Sequence, residues 1–312
     1  MIWEDLIWFI VACLFLVKGA EYSVKSIAKM ARSLHLSEFL ISFVILGFVS
    51  SFPEAFVGIA SALSGVPKIG IGTLLGSNLA DLSVIIGLVV LVGGNIKVSN
   101  KVMKYDFFFI TLSVFPILLA LDGELSRIDG FILIVAGLLF LVHLLRNKIH
   151  IPSKIIGSRK DFMINSGIFA ISVAVLMVSS SFVVKYASLI AADFLVSPML
   201  IGLILVALGT CLPELAFSIK SMRQGHADLA LGDLLGNVII DATIMIGIVV
   251  MIAPLQVNFF LMFFIGIFML ITLFFVMSFI EDGHTITKEK AIILVFIYIA
   301  YVIAGLLIKG VV

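Results

Sequence analysis

Residues 47–87 read GFVSSFPEAFVGIASALSGVPKIGIGTLLGSNLADLSVIIG, and residues 207–247 read ALGTCLPELAFSIKSMRQGHADLALGDLLGNVIIDATIMIG. Each stretch carries a Glu directly after a Pro and an Asp 27 residues later: Glu54 with Asp81, then Glu214 with Asp241. One shift of 160 residues superposes these four, and also Pro53 on Pro213, Ser61 on Ser221, Gly65 on Gly225, Gly72 on Gly232, Gly76 on Gly236 and Gly87 on Gly247. The chain is organised around this duplication.

The surroundings are apolar. Of 312 residues 62% are hydrophobic and only 12% charged, with mean hydropathy +1.30. Soluble domains have about half and a quarter, so this is a polytopic membrane protein. The net charge of +1 offers no basic surface for nucleic acid. Two cysteines in apolar runs, Cys13 and Cys211, make no disulfide framework. The first apolar run follows Glu4 and Asp5 rather than a basic segment, and is expected to be a retained span and not a signal peptide.

A helix needs about 20 apolar residues to cross the hydrocarbon. Ten such spans are expected, near 3–22, 36–64, 70–93, 104–121, 128–147, 162–190, 196–222, 227–253, 257–280 and 287–309. The loops after spans 1, 3, 5, 7 and 9 hold 16 of the 20 Lys and Arg residues. Cytoplasmic loops carry that excess, so both termini are expected outside the cell. Five spans per half make the second half an upside-down copy of the first. The expected fold is therefore an all-α membrane protein of ten transmembrane helices, built as two inverted five-helix repeats. The repeats cover residues 1–147 and 162–312, joined by a basic cytoplasmic linker over 148–161. Inverted repeats of this kind build secondary transporters, with the site at the midplane between them.

A carboxylate at the bilayer centre costs a few kcal/mol even on lenient scales, and four at matched spacing point to function. Pro53 and Pro213 lack an N–H, which frees the carbonyls of Val49 and Gly209 and breaks the helix beside each Glu. Irregular backbone at this depth is tolerated where it lines a site. Ser50, Ser51 and Thr210 add hydroxyls there. Ser77 shares a helix face with Asp81, four residues on, and Asn237 does the same with Asp241. Asn78 and Asp233 add further polar groups. The glycines at 72, 76, 232 and 236 form small-xxx-small patterns that allow close backbone approach. The donors are nearly all oxygen. That suits a hard cation such as calcium, which takes ~6–8 oxygens, and not zinc or copper. No nucleotide-binding loop is present, so an ion gradient is the expected driving force.

The segments SSFPE…GSNLAD and GTCLPE…GDLLGNVIID resemble the two alpha-repeats of the calcium/cation antiporter superfamily, in particular its prokaryotic sodium/calcium exchanger branch. The resemblance implies an antiporter that exchanges calcium for sodium by alternating access, with sites between spans 2, 3, 7 and 8. It implies calcium held by Glu54 and Glu214, and sodium around them at Ser51, Ser77, Asp81, Thr210 and Asp241. It also implies that spans 1 and 6 slide across the repeated core. Some positions depart from the family pattern. VSS and GTC stand at 49–51 and 209–211, where the family has GTS; GDLLGNV stands in place of the family's GN..GSN; and Asp81 stands where many sodium exchangers carry Asn. The extra aspartates, Asp81 and Asp233, keep proton coupling open as the alternative. Sodium is the reading taken, because the proton-exchanging branch's GN..E signature is missing.

Two other classes fit the sequence less well. Tyr105-Asp106 with Gly232-Asp233 faintly resembles an intramembrane aspartyl protease, but leaves the duplication unexplained. A channel would ordinarily draw its carboxylate ring from several chains, whereas one chain here supplies both halves. The expectation is thus a non-enzyme, functional as a monomer in the plasma membrane, whose partners are lipid and inorganic cations: calcium, and sodium or protons. The five histidines and the acidic residues at span edges are read as solvated or interfacial.

Overall fold

The computed structural model describes residues 2–32, 47–98, 106–146 and 159–308, nearly all of them helical. Among these residues, eight helices are long and apolar enough to cross a membrane. Span 2 is described as Gly47–Ser50 and Phe52–Leu63, and span 4 as Asp106–Leu119. The stretches expected to open them, 36–46 and 104–105, lie outside the described residues, as does the linker up to residue 158. The other spans are Ile2–Arg32, Pro67–Gly93, Arg127–Arg146, Arg159–Asp193, Pro198–Arg223, 227–252, Phe259–Glu281 and Lys288–Leu307.

Spans 1 and 6 run past their expected ends. At about 1.5 Å per residue, 31 and 35 residues make helices of roughly 46 and 52 Å, against a hydrocarbon core of about 30 Å. Span 1 continues beyond residue 22 because no breaker intervenes. There Glu21 pairs with Lys18, at 2.9 Å, and with Lys25, three and four residues away on the same face.

Burial separates a centre from a periphery. The most apolar stretches of spans 3 and 8 are 78% and 83% buried, against 28% for spans 5 and 10. Spans 3 and 8 carry the repeated Asp, so the duplicated sequence forms the inside of the molecule. The apolar packing falls into two main bodies. The larger joins spans 2, 3, 4, 5, 7, 8, 9 and 10. The second is built on spans 1 and 6, with Phe9, Leu16 and Ala20 against Leu176, Val183 and Ala187, and meets the centre through Val57, Ile69 and Val206.

Two short antiparallel pairs clasp the repeats together. Ile96–Lys97, after span 3, pairs with Thr285–Ile286, before span 10. Glu124–Leu125, before span 5, pairs with Leu255–Gln256, after span 8. Each clasp takes one strand from each repeat, and the repeat symmetry carries one clasp roughly onto the other, at the opposite end of the bundle.

The central crossing is made backbone to backbone. A Cβ at Gly72 would sit 2.2 Å from the Met199 carbonyl oxygen, one at Gly76 2.2 Å from that of Leu203, and one at Gly202 2.3 Å from that of Ile69. Span 3 therefore lies directly on span 7, and Gly47 likewise abuts Gly236 where span 2 meets span 8. Rigid backbone cannot yield as a side chain can. Gly76→Ala is expected to destabilise the fold by roughly 1–3 kcal/mol, the range for overpacking, read as a lowered unfolding temperature in detergent. Gly167→Ala, where a Cβ meets nothing within 4 Å, should leave it unchanged.

Candidate functional site

Spans 2 and 7 are interrupted where the prolines predict, but only briefly. Ser51 and Cys211 keep right-handed φ with ψ near zero (−4° and −2°), and the helices resume at Phe52 and Leu212. Backbone bonds persist on both sides: Ser51 N–H to Gly47 O at 3.3 Å and Ala55 N–H to Ser51 O at 2.8 Å, then Cys211 to Ala207 at 3.1 Å and Leu215 to Cys211 at 3.1 Å. The expected break is thus a one-residue kink, because proline removes only its own rung of the ladder. It places Glu54 and Glu214 in the first turn of the resumed helices, 0% and 1% exposed.

Spans 3 and 8 each contain a π-turn that the sequence did not reveal. The turns cover Asp81–Ile85 and Asp241–Met245 and coincide under the 160-residue shift. In each, an N–H reaches back five residues, Ile86 to Asp81 and Ile246 to Asp241. Single π-turns inside α-helices recur at functional positions. A third covers Gly202–Val206 of span 7.

The polar residues of the two repeats bond across to each other. The Ser51 hydroxyl donates to the Asn237 side-chain oxygen, and the Asn237 amide donates to Asp81 at 2.8 Å. The image of this chain under the repeat is Cys211, whose thiol approaches the Ser77 carbonyl oxygen at 3.9 Å, with the Ser77 hydroxyl donating to Asp241 at 3.2 Å. Ser77 and Asn237 do share a face with Asp81 and Asp241, as expected, yet each bonds to the Asp of the other repeat. Ser50 donates to Asp233 at 3.1 Å. Thr210 lies beside Glu54, while its hydroxyl donates to the Ala207 carbonyl at 3.0 Å.

These bonds leave much unsatisfied. Glu54, Asp81, Glu214, Asp233 and Asp241 are all buried. Both oxygens of each Glu and one oxygen of each Asp, seven in all, find no hydrogen-bond partner. Both polar atoms of the Asn78 side chain are also buried and unpartnered. Among the described residues the ion pairs involve only Lys18, Lys25 and Lys290, none of them bonded to this cluster. Buried charge without a counter-charge costs several kcal/mol per ion, so the cluster calls for cations or protons from outside the chain. Among the described residues, no three His, Cys, Asp or Glu side chains gather as a ready-made metal cluster. A cation here would draw on hydroxyls, the amides and main-chain oxygens as well as carboxylates, a donor set that suits hard cations.

Every expected site residue is buried, and all but Glu54, Glu214, Asn78 and Thr210 join the cross-repeat bonds. Three were missed. Ser218 is fully buried with an unpartnered hydroxyl, four residues after Glu214 on the same face. Its i,i+4 spacing, already used for Ser77 and Asp81, would have found it. Ser83 and Thr243, again 160 apart, turn their hydroxyls back onto the carbonyls of Leu79 and Ile239 inside the π-turns. Of the protease-like residues, Tyr105 lies outside the described residues, and Asp233 is bonded to Ser50.

Comparison with known proteins agrees with this architecture. The chain matches the family described as sodium/calcium exchanger protein over residues 5–146 and 164–307, one segment for each repeat. It is 27% identical over 369 aligned positions to the sodium/calcium exchanger MaX1 of Methanosarcina acetivorans, covering 97% of this chain and 99% of that one. It is 29% identical to the inner membrane protein YrbG of Escherichia coli, over 80% of each. Its fold superposes on the sodium-calcium exchanger NCX_Mj, soaked with sodium and strontium, with a TM-score of 0.69 at 21% identity, over 96% of this chain and 98% of that one. With both family segments matched, over residues 5–146 and 164–307, the chain belongs to the sodium/calcium exchanger protein family.

Proposed function

We propose that this protein is a secondary antiporter that exchanges calcium for sodium by alternating access. The observation that carries the reading is the set of seven unpartnered carboxylate oxygens, buried at the contact of the two repeats with no protein cation paired to them among the described residues. Such a cluster is stable only when loaded, and different loads can replace one another. Family membership and the name of MaX1 support sodium and calcium as those loads.

Glu54 and Glu214 take calcium, since all four of their oxygens are free and each follows a kink. Asp81 and Asp241 each spend one oxygen on the other repeat and keep one for a monovalent ion. Ser50, Ser51, Ser77, Asn78, Thr210, Asp233 and Asn237 complete the oxygen shell around them. Spans 1 and 6, packed as a body of their own, slide across the repeated centre to open the site to one side and then the other. One chain supplies both halves of the site, so a monomer suffices. The Lys/Arg distribution supports an orientation in the plasma membrane with both termini outside.

Three outcomes follow in proteoliposomes. Glu54→Gln and Glu214→Gln each reduce calcium uptake to the protein-free background, while Asp193→Asn, at an exposed helix end, does not; uptake surviving both Gln changes would remove calcium from this site. An outward-directed sodium gradient drives calcium entry and a pH gradient of equal size does not; the reverse result would make protons the counter-ion. Ser77→Ala, which strips one hydrogen bond from Asp241, raises the sodium concentration for half-maximal exchange about five-fold, the equivalent of ~1 kcal/mol for a hydrogen bond, and leaves calcium half-saturation nearly unchanged.

A further inference from the structure

A cavity lies away from the carboxylates, on the flank of spans 1 and 6. It is about 530 Å³ and is lined by one stripe of each helix: Trp8, Val11, Ala12 and Phe15 on span 1, and residues from Ile171 to Tyr186 on span 6. The spacing on span 6 (171, 174/175, 178/179, 182, 186) is that of a single helix face. The groove therefore runs along the two helices. Its wall on span 6, Ile171 to Tyr186, runs roughly 22 Å, and its wall on span 1, Trp8 to Phe15, roughly 10 Å. Ala12 and Ala174 are the small residues of its lining, and the lining surface is wholly apolar. The two helices run antiparallel, since Gly19 packs on Ser172 and Leu176. Trp8 and Tyr186 consequently stand at the same end.

That end carries charge of both signs. The Lys185 ammonium sits over the Tyr186 ring, 5.4 Å from its centroid, is exposed, and makes no ion pair among the described residues. Glu4 lies one turn before Trp8 on the same face of span 1. Trp and Tyr with a nearby Lys mark the headgroup level of a bilayer. A long apolar slot in a membrane that ends in an aromatic pair, a cation and an anion matches one occupant: an acyl chain whose headgroup bears both a phosphate and an amine.

We propose that the groove between spans 1 and 6 is a binding site for a zwitterionic phospholipid such as phosphatidylethanolamine, with one acyl chain along Ala12 and Ala174, its phosphate at Lys185 and its amine toward Glu4. The site does not depend on which ions are exchanged. The chain fills the outer face of the pair and binds spans 1 and 6 into one unit.

The protein carries its own reporter, because its two tryptophans are Trp3 and Trp8. Trp3→Phe leaves Trp8, on the groove wall, as the sole tryptophan. Delipidated Trp3→Phe protein in detergent is titrated with phosphatidylethanolamine brominated on its acyl chains. Quenching of Trp8 should saturate at one lipid per chain. Lys185→Glu, an exposed change, should weaken it at least ten-fold, and brominated phosphatidylglycerol should bind more weakly than the amine lipid. Ala174→Phe, which puts a ring in place of a methyl on the groove lining, should abolish the saturable phase. Quenching that rises in proportion to lipid without saturating would show ordinary solvation and overturn the site. So would Lys185→Glu and phosphatidylglycerol that both match the parent titration, or a Trp8 shielded by a second copy of the chain and not quenched at all.

Discussion

Everything at the centre of this protein follows from one electrostatic constraint: five buried carboxylates with, among the described residues, no protein cation paired to them. A carboxylate in a low-dielectric interior is destabilised by several kcal/mol unless paired or protonated. Three side-chain donors, from Ser50, Ser77 and Asn237, reach these groups and leave seven oxygens open. A fold that had to stand by itself would have placed a Lys or Arg among them. The missing positive charge is what makes the site exchangeable, because any cation that fits the oxygens can fill it and a different one can displace it.

The repeat symmetry explains how so much polarity is held at the centre. Glu54 and Glu214 sit on kinked helices, and Asp81 and Asp241 begin π-turns on the helices that cross them. The cross-repeat chains, Ser51 to Asn237 to Asp81 and Cys211 to Ser77 to Asp241, are images of each other in position but not in chemistry. An amide relays in one and a hydroxyl in the other. A thiol replaces a hydroxyl at Cys211, and Thr73 has Asp233 as its counterpart. The two aspartate corners are therefore unequal, while the paired Glu residues remain alike. The proposed central calcium site flanked by dissimilar sodium sites would use this asymmetry.

The periphery is built differently. Spans 1 and 6 are long, pack mainly on each other, and touch the centre through apolar side chains that include Val57, Ile69, Val206 and the Phe52–Phe169 ring contact. The central crossing of spans 3 and 7 rests on glycine backbone, where an added Cβ would meet a carbonyl oxygen. Apolar side-chain contact is non-directional, so the seam of spans 1 and 6 is less tightly specified than the crossing of spans 3 and 7. The proposed exchange would use this contrast, with ions at the crossing and movement along the seam.

By itself the sequence determined the membrane class, the duplication, the inverted repeat and the identity of the four motif carboxylates. Hydropathy, loop charge and residue spacing are local quantities, readable without knowing what touches what. The kinks were legible in Pro53 and Pro213, though not their restriction to one residue. Only the tertiary structure decided that Ser77 bonds to Asp241 and not to its own Asp81, that Asn237 bonds to Asp81, and that Gly72 and Gly76 face Met199 and Leu203. These partners lie more than a hundred residues apart, and their pairing depends on how two helices cross. The π-turns escaped for a related reason: an extra residue in a helical turn leaves no mark on composition and is held in place by the neighbours packed against it.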